Sequence, residues 1–286
     1  MKLLILGLDG LEYKLVERWN LEVFKQKVYG KHDVSFFRNI FTPIVWASFL
    51  LGENAEKLGF TVESLRGRHV PQKVRSLWNL RRKFIKRSLG IRRLMVKLGL
   101  LNQYPPCNLP DHLKKQTFLE ELKEKGYRIY AIEVPGYNEE TNEKYRCIHK
   151  KYTFTDSLHK KHFAYELLND AFNRLLRAVF AILENYDLVF AYLTVPDLWN
   201  HIYHPSFGMK SRIKLYSMHL KLQKMVNEVI QRAADEGFMT LIISDHGIDL
   251  KELDHSGYGF WSLSEDYGFR PKSILDFKKF ILEVFP

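Results

Sequence analysis

Along the chain, short continuous apolar runs alternate with longer stretches whose apolar positions recur every three or four residues. LLILGL (3–8), YRIYAIEV (127–134), DLVFAYLTV (187–195) and FMTLIIS (238–244) are rich in β-branched and aromatic residues. They run on without polar alternation, a pattern that predicts strands covered on both faces. Between them, HLKKQTFLEELKEKG (112–126) has helical spacing and stops at Gly126, a residue suited to the left-handed turn that ends a helix. AYELLNDAFNRLLRAVFAILEN (164–185) and RIKLYSMHLKLQKMVNEVIQRAADEG (212–237) predict long amphipathic helices. ILDFKKFILEVFP (274–286) predicts a last helix on the core. Strand alternating with helix implies an α/β fold with a mostly parallel central sheet flanked by helices.

Composition changes this picture in one place. At 286 residues, 46% hydrophobic and 27% charged, the chain is long enough for a sizeable core and is not of the disordered class. The net charge of +11 is local: from Arg66 to Lys97 there are twelve Lys and Arg and no Asp or Glu. We therefore read 1–286 as a single α/β domain, with 66–110 as a small basic helical insertion or cap ending in the Pro-rich QYPPCNLP. Within it, LWNLRRKFIKRSLGIRRLMVKLGLL (77–101) places apolar residues near one helical face with Arg and Lys between them. Such a segment suits packing on the domain, steering of anionic substrates, or contact with a nucleic acid or anionic membrane surface. Cys107 and Cys147 are too few for a disulfide framework and lack metal-ligand spacing, which points to a reducing, cytoplasmic setting. MKLLILGLDGLEY reads as a first buried strand and not as a signal peptide, and no apolar run approaches the ~18 residues of a membrane span.

Candidate chemistry gathers just after the strands. Asp9 follows LLILGL, Asp197 and His201 follow DLVFAYLTV, and Asp245 with His246 follow FMTLIIS. In an open parallel sheet these strand ends face one crevice, where ligands bind. Three carboxylates on one edge repel each other unless cations lie between them. His201, His246 and His255 complete an oxygen and nitrogen donor set that zinc or manganese favours. Singly, Asp9–Gly10 also reads as a turn and Asp197 as a cap after Pro196; it is the set that points to metal. There is no G-x-S-x-G elbow, Walker A loop or Rossmann glycine fingerprint.

Five places in order, GLDG with Asp9, TPIVWASFLLGENAEKLGF from Thr42, PDLWNH, SDHG and DHSGYGF, resemble the alkaline-phosphatase superfamily. The similarity is to its type I phosphodiesterase/nucleotide pyrophosphatase branch, in which a Thr stands four residues before the Trp of a W-x-S-x-L-x-G run. KQTFLEELKEKGYRIYAIEVPGYNEE (115–140) is similar to a helix–strand–loop unit of the same family. The resemblance implies an alkaline-phosphatase-like fold and two divalent metal ions, zinc or manganese. Asp197, His201 and His255 would hold one; Asp9, Asp245 and His246 the other, with the Thr42 oxygen beside it. His204 competes with His201, which the motif favours. The resemblance further implies hydrolysis of an anionic phosphoester through a phosphothreonine at Thr42. Thr42 cannot become the formylglycine of a sulfatase, and Val45 stands where nucleotide pyrophosphatases carry an Asn near the nucleophile. The alternative is a binding module that uses the basic 66–98 segment and needs none of these ligands.

Overall fold

The computed structural model describes residues 1–67, 106–153 and 155–285. Of the expected basic cap over 66–110, residues 68–105 lie outside the described residues.

Six strands form one sheet in the order β2-β6-β5-β1-β4-β3. They are β1 (Lys2–Leu8), β2 (Val28–Asp33), β3 (Ile129–Ile132), β4 (Leu188–Leu193), β5 (Phe238–Ile243) and β6 (Tyr258–Leu263). β1 lies between β4 and β5 and is parallel to both, and β3 extends the parallel set beyond β4. β6 runs antiparallel to β5 and to β2, so the mixed edge is confined to one side.

The four expected strands are the four parallel ones; in β1, β4 and β5 the reason is burial on both faces, while β3 at the sheet edge is half-buried. In β1, Leu4, Leu6 and Leu8 enter one core while Leu3 and Ile5 enter the other. Of the pair outside the expectation, β6 is buried but its run is broken by Gly259 and Ser262, and β2 lacks the signal. β2 alternates half-buried and exposed positions, as an edge strand with one wet face does.

The labelled helices are α1 (Thr42–Leu51), α2 (Phe118–Glu124), α3 (Asn142–Thr153), α4 (Ser157–Leu183), α5 (Asp197–Ile202), α6 (Met209–Asp235) and α7 (Asp276–Val284). α4 and α6 cover one sheet face; α1, α2 and α7 cover the other. The single helix expected over 112–126 is two: Asp111–Lys114, then α2. Thr117 divides them, because its side chain caps α2 by accepting the Glu120 amide, an interaction that competes with helix continuation. α4 starts earlier than its apolar period, at Ser157, where Asp156 caps the amides of Leu158 and His159.

α1 is buried along its whole length, Thr42 to Leu51, and so has no amphipathic stripe to read. Trp46 fixes it to the sheet. Its ring packs on Phe190 and Tyr192 of β4 and lies so close over β1 that a Cβ at Gly7 would come within 2.8 Å of it. That contact sets Thr42, one turn earlier on α1, above the carboxyl end of β1.

Candidate metal centre

Each site residue is placed by the end of an element. Asp9 leaves β1, and its carbonyl accepts the Asp197 amide at 2.7 Å, which joins the end of β1 to the first turn of α5. Gly10 makes that join possible. Its φ is +69°, and a Cβ there would lie 2.6 Å from the Asp197 Cβ, so only glycine fits. Asn200 Nδ2 then donates to the Gly10 carbonyl at 2.8 Å. Asp245 and His246 leave β5, and His255 leads into β6 through a bridge with Ile248.

The six candidate ligands fall into two groups. Asp9, Asp245 and His246 are fully buried together; Asp197, His201 and His255 stand beside them, with the two histidines half-exposed. The His246 and His255 rings stack at 3.8 Å, so the groups share a wall. In the first group His246 Nε2 lies 3.4 Å from Asp9 Oδ1, from Asp245 Oδ2 and from Thr42 Oγ1. One ring N–H cannot serve three oxygens. In the second, Asp197 Oδ1 to His201 Nε2 is 3.5 Å, His201 Nε2 to His255 Nε2 is 3.4 Å, and His255 Nε2 to Asp197 Oδ1 is 3.7 Å. The edge of a tetrahedron with metal–ligand bonds of about 2.0–2.1 Å is about 3.3–3.4 Å. The first group has those edges, and the second is slightly more open.

The chemistry of the donors fits cations as well as their spacing does. Asp9 Oδ1, Asp197 Oδ1 and both Asp245 carboxyl oxygens are buried without a hydrogen-bond donor. Anionic oxygens in that state are costly unless a positive charge meets them. Burial, then the charges of Asp245 and Asp197, push the Asp9 carboxyl well above its ordinary range. Burial foremost, with Asp197 adding to it, pushes Asp245 up to about 7. Burial would raise Asp197 too, but the surrounding histidines, His201 first, outweigh it and hold the carboxyl at about 2. Burial and the neighbouring His246 lower His255, which favours the neutral ring that a metal needs.

The histidines are aimed from behind. His255 Nδ1 is 3.0 Å from the Ile40 carbonyl and His246 Nδ1 3.0 Å from that of Gly247. Protons on those Nδ1 atoms leave both Nε2 lone pairs facing the site. His204 takes no part: Nδ1 meets Ser206 Oγ and Nε2 the Asp249 carbonyl. Ser48 is a packing residue, donating to the Ile44 carbonyl and accepting the Ala55 amide.

Sequence reasoning passed over three contributors. Tyr192 donates its hydroxyl to Asp9 Oδ2, which turns Oδ1 towards His246. The buried Glu12 accepts the Ile248 amide and the Tyr258 hydroxyl, tying the β1 loop to the segment between His246 and His255. The His149 ring of α3 lies 4.8 Å from that of His201. Tyr192 and Glu12 left a faint trace, each being a polar group set among hydrocarbon neighbours; His149 left none.

No curated protein sequence matches the chain. Among solved structures, murine ectonucleotide pyrophosphatase / phosphodiesterase 5 aligns at 12% identity and a TM-score of 0.45, over 86% of this chain and 57% of its own. This chain thus spans little more than half of that protein. The PH0037 protein from Pyrococcus horikoshii aligns at 13% identity and a TM-score of 0.49, over 93% and 86%. Ps i-CgsB aligns at 12% identity and a TM-score of 0.50, over 97% and 70%, a likeness of fold alone. Residues 3–258 match the family described as type I phosphodiesterase / nucleotide pyrophosphatase, and the chain belongs to that family.

Proposed function

We propose that the chain is a two-metal phosphoester hydrolase, most suited to phosphodiesters, in which Thr42 is the nucleophile and a phosphothreonine the intermediate. The observation that carries this reading is the position of Thr42 Oγ1. It stands as one more oxygen around His246 Nε2, at the same 3.4 Å as Asp9 and Asp245.

Asp9, Asp245 and His246 would hold one divalent cation, and Asp197, His201 and His255 the other. Zinc is the ion that this mixed carboxylate and imidazole set favours, with manganese next. Bound there, such ions supply Lewis acidity, lowering the pKa of the Thr42 hydroxyl and offsetting charge on the leaving oxygen. The protein's own part is orientation. Thr42 Oγ1, held at the first turn of α1 where the helix carries partial positive charge, attacks phosphorus as the bond to the leaving alcohol breaks. Water then cleaves the Thr42 ester and restores the hydroxyl. Tyr192 keeps Asp9 turned inward, and the Ile40 and Gly247 carbonyls keep the two imidazoles in the tautomer that the site requires. The substrate is an anionic phosphoester. A pure binding module has no use for this buried donor set, and the basic 66–98 segment that would serve one is not needed for the chemistry.

The test is hydrolysis of bis-p-nitrophenyl phosphate and p-nitrophenyl phosphate, with zinc or manganese and with EDTA. Metal-dependent turnover with a preference for the diester is expected. Thr42→Ala should lose about 10⁴-fold or more in kcat while zinc still binds; robust turnover by that variant would rule out the nucleophile.

A further inference from the structure

The first turns of α4 and α6 lie side by side. Lys214 Nζ donates to Ser157 Oγ at 2.7 Å, and the Lys160 ammonium lies 5.1 Å from the centre of the Phe207 ring. Met209, at the start of α6, follows His201 by eight residues. Four large apolar side chains face solvent here: Leu158 is 74% exposed, Met209 67%, Ile213 60% and Phe207 39%. Lys160, Lys161, Lys210, Arg212 and Lys214 stand among them.

The acids nearby are already engaged. Asp156 accepts the amides of Leu158 and His159 and pairs with the His159 ring. Glu166 pairs with Lys144. Across His204, Asp249 and Asp254 accept amides of their own loop, whose Glu252 is the remaining carboxylate. With five cations against the one carboxylate of Asp156 on these turns, the patch is both apolar and net positive.

We infer that this patch docks the chain on an anionic lipid surface. Exposed apolar side chains interleaved with basic ones match a headgroup layer, where hydrocarbon enters the acyl boundary while ammonium and guanidinium groups meet phosphate. A nucleic-acid backbone would reward the charges but not Leu158, Met209 or Ile213, which offer no ring for base stacking. The inference is independent of the hydrolytic reading. It also differs from a role for the basic 66–98 segment, which the variants below leave intact.

Co-sedimentation of the full chain with phosphatidylcholine vesicles, with and without phosphatidylserine, tests it. Binding that requires phosphatidylserine and falls with salt is expected. Leu158→Ser/Met209→Ser/Ile213→Ser and, separately, Lys160→Glu/Lys161→Glu/Lys210→Glu should each weaken it about tenfold or more. The Tm and the metal-dependent turnover of a soluble diester should not change in either variant, since all six side chains lie outside the site. No binding by the native chain, or binding by both variants as strong as the native chain's, overturns the inference. So does duplex DNA binding that the lysine variant loses and the apolar variant keeps, if vesicle binding is absent.

Discussion

The two ligand groups are built from similar residues but solve different electrostatic problems. Asp9, Asp245 and His246 set two carboxyls against one imidazole with no access to water, and both carboxyls are pushed up. Asp197, His201 and His255 set one carboxyl against two half-exposed imidazoles, and that carboxyl is held down at about 2. The buried group is therefore frustrated without a cation, whereas the outer one is already balanced by its own histidines. It follows that protons compete with metal at the buried group near neutral pH and much less at the outer carboxylate.

The largest effect that would break this comparison is loss of a ligand. Asp245→Asn and Asp197→Asn should each lower metal-dependent kcat/KM by about 10³-fold. Only Asp245→Asn, however, should also abolish the rise of activity between pH 5.5 and 7.5 that competition with protons imposes. Equal pH profiles for the two variants at sub-saturating zinc would refute the asymmetry.

Stability should respond with opposite sign. In the metal-free chain Asp245 has a folded-state value near 7, above its ordinary 3.8. The fold then binds the proton more tightly than the unfolded chain does, so this group's contribution is present at low pH and lost as pH rises from about 4 to about 7. In EDTA, Asp245→Asn should match the native chain at pH 4 and exceed it by about 1–3 kcal/mol at pH 8. With saturating zinc the variant should be the less stable one. Thermal unfolding at both pH values, with and without EDTA, measures this; a variant less stable in EDTA at pH 8 would contradict it.

Smaller effects probe the supports. Tyr192→Phe removes the hydroxyl on Asp9 Oδ2 and should weaken zinc binding at the buried group about 10–100-fold, read by competition with a chromogenic chelator. His204→Ala should leave kcat/KM within about twofold, because His204 bonds only to Ser206 and Asp249 among the hydrogen bonds of its ring. A loss as large as that of His201→Ala would mean that the site recruits it.

What the sequence made legible follows the same physics. Parallel strands buried on both faces announce themselves as unbroken apolar runs, and ligand-type residues at their ends stand out by contrast. β2 carries a weaker pattern, because an edge strand answers to solvent on one side, and in β6 Gly259 and Ser262 break the apolar run. The break at Thr117 turns on one side-chain hydrogen bond, which periodicity does not register. At the centre, Asp-x-x-x-His at 197–201 is a local pattern, and helical spacing does bring the pair together. The supports of Tyr192, Glu12 and His149 come from residues remote in sequence and exist only once the strands are side by side.

The place of β1 in the sheet also sets an order of assembly during synthesis. β1 is made first, yet its partners are β4 and β5, whose registers join Leu3 to Leu188 and to Met239. At roughly 5–20 residues per second, roughly 10–50 s separate Asp9 from His255 at the ribosome. Until Leu188 to Leu193 are made, the apolar β1 of the nascent chain lacks both of its strand partners, and until His255 is made the full donor set does not exist. Early exposure of LLILGL and late completion of the donor set thus follow from the strand order.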